Sequence, residues 1–453
     1  RLATMAWTLL GARALGILTL LGITSAWHLL AFTFLLGLGG ALNTPAWLAV
    51  ITELVEPREV PYAVTLHATG FNLARAVGPA LGGFMVAALG PAAVFLMNAG
   101  LFLYTLIVLF RWQSTRVVSS TPSEDMLEAI TAGMRYVRHA PALQAVLIRS
   151  GIFALGSSAL MALLPVIARQ ELNMQATGFG LLMGSLGFGA VVGSLILPRL
   201  RRSLSIDWLA AAATLVFAGA TLALAYLRSV PLLFVCMMAG GFAWLAMISS
   251  LTIVTQTASP GWARARQLGL LLFVLQGLMA AGSFLWGALA EQFGNAAALV
   301  TAALALAVGL AAVLRWPLSL AQRIDLTYSY HWPDPDIKLN PEPDDGPVLI
   351  TVEYRVPAER ERDYLQAMKA MRGFRRREGA VRWDLFQDMA DPERYVESFM
   401  VMTWGEHMRQ HTRVTREDEA TETYAFSFLK EGVPPLATQP SPEATASAPD
   451  EES

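Results

Sequence analysis

"ARAVGPALGGFMVAALG", residues 74–90, sets four glycines and a proline into an apolar run broken only by Arg75. In a water-soluble helix glycine and proline cost about 1 and 3 kcal/mol each relative to alanine. A bilayer changes that balance, because lipid tails are as apolar as leucine and helices associate there by close packing at small residues. Gly78, Gly82 and Gly83, with Ala74 one turn earlier, make a smooth face for a neighbouring helix. Pro79 bends the helix, and neighbouring helices or waters satisfy the carbonyl it frees. Two readings stay open: generic helix packing, or a gate between moving parts.

Composition agrees with a membrane setting. The 453 residues are 55% hydrophobic and 15% charged, with a mean hydropathy of +0.47, whereas soluble domains carry about 25% charged residues. Almost all of the apolar excess lies before residue 317. With a net charge of −2 and no basic tract, nothing directs the chain to nucleic acid. Cys236 is the single cysteine, so no intrachain disulfide forms.

A helix crossing the hydrocarbon core needs about 20 apolar residues. Ten segments meet that length: about 2–21, 28–52, 62–88, 92–111, 142–168, 177–197, 206–226, 231–255, 264–290 and 295–314. Loops at 53–61, 112–141, 198–205, 256–266 and 315–323 carry arginine, among them Arg199, Arg201 and Arg202. The alternate loops hold only Arg169 and Arg228. Arginine accumulates on the cytoplasmic side, so the basic loops and everything after residue 315 are expected there.

A shift of 204 residues superposes the landmarks. Gly37 falls on Gly241, Gly78 on Gly282, Gly83 on Gly287, Gly90 on Gly294, and Arg111-Trp112 on Arg315-Trp316. The equivalent spans run in the same direction, as in transporters built from two parallel six-helix halves. The second copy has six spans and the first four, so about sixty residues and two helices are expected before Arg1. The chain opens on arginine with no signal-peptide pattern, so either it is a fragment or its start is mis-called, and the repeat favours a fragment.

Beyond the spans the periodicity changes. Thr121-Pro122-Ser123-Glu124 fits a capping box that opens a surface helix with Met126, Ile130, Met134 and Val137 on one face. "HWPDPDIKLNPEPDDGP" reads as an extended linker. "VLITVEYRV" alternates like a strand and 357–377 is helical. "AVRWDLFQD" and "RYVESFMVMTW" form a hairpin across Asp391-Pro392, 405–420 is helical, and "YAFSFL" is strand-like. That βαββαβ order is ferredoxin-like, and the Pro- and acid-rich end is expected to be disordered.

"AVGPALGG" resembles the GPxxGG signature on the fifth helix of major facilitator superfamily exporters, which lies between the halves and is associated with export by antiport. "LVEPREVPYAVTLHATGFNLARAVGPALGG" (54–83) is closer still to the branch of enterobactin-type siderophore exporters, also called transmembrane secretion effectors. "HWPDP" and the tail resemble members of that branch, and the likeness runs from about residue 2 to 430. The tail also resembles the small dimeric fold of antibiotic-biosynthesis monooxygenases. Three departures stand out. The family's Gly-x-x-x-Asp-x-x-Gly-Arg-Arg loop signature should end just before Arg1. Its second-half counterpart, "GSLILPRLRR", has Leu197 at the acidic position. Phe34 stands where drug–proton antiporters carry arginine.

Ionisable residues deep in a membrane are functional candidates by default. Arg75 leads them, for substrate or gating contact or else as a donor to carbonyls of the glycine-rich helix. Asn72 lies one turn earlier, and Asn43 and Gln276 fall on helices expected to line the cavity. Trp47 and Trp244 either stack on an aromatic substrate or fill the core. Arg13 reads as structural, Arg149 as reaching out to the cytoplasm, and Gln144 and Asn98 as uncharged polar groups within spans. Glu53, Glu171 and Glu291 all sit near span ends, so no visible acid suits proton coupling. His407 and His411 share a helical face, but no third ligand stands at a recognisable spacing, so no metal or cofactor is expected.

The expected fold is therefore an all-α polytopic membrane protein with ten transmembrane helices, a major facilitator fold lacking its first two, plus a small α+β ferredoxin-like cytoplasmic domain. Its expected parts are 1–111 (partial first half), 112–141 (central loop with a surface helix), 142–316 (second half), 317–347 (linker), 348–430 (ferredoxin-like domain) and 431–453 (tail). The expected function is alternating-access export of a small amphiphilic molecule, a siderophore, antibiotic or drug, from a bacterial inner membrane with protons as coupling ion. The tail is a regulatory or self-associating module. The alternative is a membrane-tethered small-molecule monooxygenase or haem-binding protein acting through the tail.

Overall fold

The computed structural model describes residues 2–54, 81–86, 88–111, 126–319, 325–329, 331–332, 341–430 and 435–438, with isolated positions between 59 and 78. The chain forms two compact units. One holds residues 1–122, 152–248 and 278–310, and the other holds 123–151, 249–277 and 311–453.

Helix boundaries in the chain repeat at the spacing seen in the sequence. Helix α1 (Leu2–Leu20) is echoed by α7 (Ile206–Tyr226), and α2 (Ala26–Leu54) by α8 (Val230–Thr257). Helix α3 (Pro91–Arg111) is echoed by α10 (Asn295–Gly309) and its short continuation α11 (Ala311–Arg315). The pairing repeats too, since α1 packs along α3 and α7 along α10. Gly90 (φ +79°) and Gly294 (φ +88°) stand just before α3 and α10. That left-handed conformation suits glycine because it has no Cβ, so each copy enters its last helix by the same turn. The spans between them are α5 (Pro141–Gln170), α6 (Ala176–Ser203) and α9 (Arg264–Phe293), and α4 (Met126–Arg138) is amphipathic.

Seven of the described helices are long and apolar enough to cross a bilayer, counting α10 and α11 as one; α1 and α2 contribute shorter apolar stretches, Thr4–Leu20 and Ala26–Gly40. The expected 62–88 span lies mostly outside the described residues; those described between 81 and 89 are helical.

Small residues decide how the spans meet in the first unit. A Cβ on Gly189 of α6 would run into the Met238 carbonyl of α8, and one on Gly241 of α8 into the Leu186 carbonyl of α6. The two backbones touch because neither position carries a side chain. Phe153, Phe217 and Trp244 from α5, α7 and α8 pack ring on ring, with centroids 5.4–6.0 Å apart. Beyond the helix ends, Glu171 pairs with Arg228 and accepts from Asn295 Nδ2 at 2.8 Å. That carboxylate ties two connections to the start of α10.

The second unit carries the sheet. Strands β1 (Val348–Arg355), β2 (Arg382–Gln387), β3 (Arg394–Val401) and β4 (Leu436–Thr438) run in the order β2-β3-β1-β4. All neighbours are antiparallel, with Val348 opposite Val401, Arg382 opposite Met400 and Val352 opposite Ala437. Strict alternation of buried and half-buried residues along β1 and β3 gives the sheet one covered face. Helices α12 (Glu361–Arg377), α13 (Trp404–Arg413) and α14 (Arg416–Phe426) complete the module. Tyr354, Tyr364, Met368, Met371, Phe374, Tyr395 and Phe399 fill its core.

Several local expectations are corrected. "YAFSFL" is not a strand, because its first residues close α14. Thr415 and Asp418 cap that helix reciprocally, and the cap outweighs a six-residue alternation. The fourth strand instead comes from residues 436–438, inside the expected disordered tail. The 405–420 helix is two, broken at Val414 and Thr415. On α4, Met134 is half exposed while Tyr136 and Val137 are buried; the Thr121–Glu124 cap lies outside the described residues. Within the segment expected as a linker, Trp332 packs on Phe374 with centroids 6.0 Å apart.

Candidate functional site

The glycine-rich stretch makes one close approach. A Cβ on Gly83 would lie 2.6 Å from the Ala176 carbonyl oxygen and 2.9 Å from Gly180 Cα, so this helix meets the first turns of α6 backbone to backbone. At Gly78 and Gly82 such an atom meets nothing described within 4 Å. Asn72, Arg75 and Pro79 lie outside the described residues. Asn43 and Trp47 are on α2, but their side chains are outside too.

Of the remaining candidates, Gln276 is exposed on α9. Trp244 is buried, and its ring packs against Phe153 and Phe217. Arg149 is 4% exposed and does not reach outward as expected. Arg13 and Asn98 are exposed, and Gln144 Nε2 donates to the Arg138 carbonyl at 2.6 Å. At the end of α6, Arg199 donates to the Leu195 carbonyl at 3.3 Å, Arg202 is exposed and Arg201 is partly covered.

The sheet module holds a buried polar network. Glu397, fully buried on β3, accepts from Tyr354 Oη at 2.7 Å, Trp383 Nε1 at 2.7 Å and Arg375 Nε at 3.2 Å. Arg375 also faces Glu422 at 3.0 Å, and Glu422 accepts from Trp332 Nε1 at 2.9 Å and meets His331 Nε2 at 2.6 Å. Burial works against the Glu422 anion, yet Arg375, His331 and Trp332 hold its carboxyl below the ordinary value. At Glu378 burial outweighs the pull of Arg377 and Arg413 and pushes the carboxyl up to about 7. Burial pushes His407 down to about 4, so the ring is neutral at physiological pH. It lies edge-on to His411 with centroids 5.0 Å apart. Among the described residues no three metal-binding side chains converge.

The transmembrane secretion effector family matches residues 1–440. The chain belongs to that family. A curated relative, the uncharacterized MFS-type transporter YfiS of Bacillus subtilis (strain 168), is 27% identical over 135 residues. That match covers 29% of this chain and 32% of the relative, so the alignment spans about a third of each. Similar solved structures share the fold at low identity. A POT family transporter in complex with a thioalcohol-conjugated peptide has a TM-score of 0.56 at 12% identity, over 69% of this chain and 80% of that one. A POT family transporter in complex with 5-aminolevulinic acid gives 0.54 at 13%, over 70% and 80%. An occupied, inward-facing bacterial homologue of the human lysosomal transporter Spinster gives 0.52 at 15%, over 71% and 81%. This secretion effector is a multi-pass membrane protein.

Sequence reasoning passed over residues of the secretion effector that the structure brings together. Glu397, Arg375 and Glu422 lie on separate elements with no motif spacing, so only the fold assembles them. Tyr136, Trp262 and Arg413 likewise meet from three distant segments. The Thr415–Asp418 cap was the one signal open to inspection.

Proposed function

We propose that this transporter exports a small amphiphilic molecule, a siderophore, antibiotic or drug, from a bacterial cytoplasm by alternating access, with inward proton movement as the driving force. The observation that carries the reading is the paired architecture, with α1 on α3 and α7 on α10 in equivalent places. Two copies rocking about a central site are how such repeats alternate access. Relatives in fold that hold a peptide conjugate or 5-aminolevulinic acid favour a small-molecule substrate.

Substrate or gating contact is assigned to Arg75, Asn72, Asn43, Gln276, Trp47 and Trp244, and the packing gate to Gly78, Pro79, Gly82 and Gly83. The Gly83–Gly180 approach supports the second assignment. Arg199, Arg201 and Arg202 argue for a cytoplasmic end of α6, and with it an inner-membrane protein whose sheet module faces the cytoplasm. The strand order β2-β3-β1-β4 supports a ferredoxin-like reading of that module, with a regulatory or self-associating role.

The test is extrusion of ethidium, or of enterobactin, from energised cells carrying the full-length protein. Extrusion should stop on adding a protonophore, and Arg75→Ala should slow it about tenfold or more, roughly the loss of one charge-assisted contact. If the cells extrude neither compound the exporter reading falls, and if Arg75→Ala matches wild type only the placement of Arg75 falls.

A further inference from the structure

We propose that the sheet module is a clamp on the inner ends of α8 and α9, closed through α4. Five contacts inside the second unit build it. Arg413, at the end of α13, places its guanidinium 4.2 Å from the ring centroid of Trp262, on the turn between α8 and α9. The Trp262 backbone N–H donates to Tyr328 Oη of the segment leading into the module, at 3.1 Å. Tyr136 of α4 meets Trp262 edge-on, with centroids 5.6 Å apart, and the Arg377 guanidinium of α12 lies 5.6 Å from the Tyr136 ring centroid. Arg135 of α4 pairs with Glu406 of α13.

The seat is built for close contact. Gln267 Nε2, near the start of α9, donates to the Gly133 carbonyl of α4 at 3.0 Å. A Cβ on Gly133 would already touch Arg266 Cβ at 3.4 Å. Arg377 is held from behind by Asp418, so its position over Tyr136 is fixed by the module's own fold. A guanidinium held over an aromatic face gains when water is excluded, and Tyr136 is 2% exposed.

The consequence follows from where the gripped helices go. Residues 249–277 belong with the module, while the rest of α8 and α9 belongs to the other unit. Movement of these two helices must therefore carry the module along or break the Trp262–Arg413 and Tyr136–Arg377 contacts. The clamp itself does not depend on the direction or substrate of transport.

Hydrogen exchange on the full chain in lipid nanodiscs tests it. Arg413→Ala and Glu406→Arg should each speed exchange across 249–277 by about tenfold, as expected when a docked segment opens locally. Protection of β1 and β3 should stay unchanged. Adding Arg135→Glu to Glu406→Arg should restore slow exchange, because the pair is rebuilt with its charges reversed. Unchanged exchange over 249–277 in both single variants, with the sheet protected, overturns the clamp. So does a double variant that stays fast. Should a single variant also expose the sheet, Trp262→Leu, which leaves every module residue intact, is read by the same two criteria.

Discussion

His407 shows how one side chain can set a pH response. It is 2% exposed, and its pKa is lowered to about 4 by burial, with Gln410 on Nδ1 partly opposing the shift and His411 and Arg375 adding to it. In the unfolded chain histidine titrates near 6.5, so between about 6.5 and 4 the unfolded state binds the extra proton. By linkage, the stability this residue contributes is complete above 6.5 and is lost as pH falls toward 4. Thermal unfolding of the module in the full chain, followed by tryptophan fluorescence, should shift to lower temperature across that window. His407→Phe should flatten the slope; an equally steep slope in that variant would assign the response to other groups. The sequence shows the His407–His411 pair, but only the fold shows that one of the two is buried.

At the scale of elements, helix crossings are written in glycines. Gly189 and Gly241 each face a partner carbonyl, and a backbone carbonyl cannot yield as a flexible side chain can. Gly189→Ala and Gly241→Ala should each push α6 and α8 apart, costing about 1–3 kcal/mol as overpacking does. Gly219→Ala, where an added Cβ meets nothing within 4 Å, should cost nothing. Melting temperatures in detergent check the contrast, and equal melting of all three variants would refute it. The helices themselves were readable, because a run of 20 apolar residues is a local property. "YAFSFL" misled because alternation over six residues cannot compete with a capped helix that has already started. His331 and Trp332, which meet Glu422, lie in a segment whose composition reads only as linker.

For the whole molecule the duplication is the organising fact, and orientation is its most accessible consequence. With Cys236 replaced by serine, Ser203→Cys at the end of α6 should react with a membrane-impermeant maleimide only in inverted vesicles. Ser229→Cys, before α8, should react only in intact cells. Both side chains are exposed, so labelling of either from the opposite side would reverse the assigned topology. Arginine bias was enough to frame this expectation, since it depends on counting charges in loops and not on packing.

Apolar run length, glycine placement and the 204-residue spacing point from the sequence alone to a duplicated membrane bundle, and the change of periodicity after it to an α+β module. Each of these is carried by residues near one another in the chain, or by a pattern repeated along it. Tertiary structure alone decided that Trp244 is core, that Glu397 and Glu422 share Arg375, and that Trp262, Tyr136 and Arg413 converge. Those contacts join positions up to 151 residues apart, and no local propensity or spacing rule records which distant surfaces close-packing brings together.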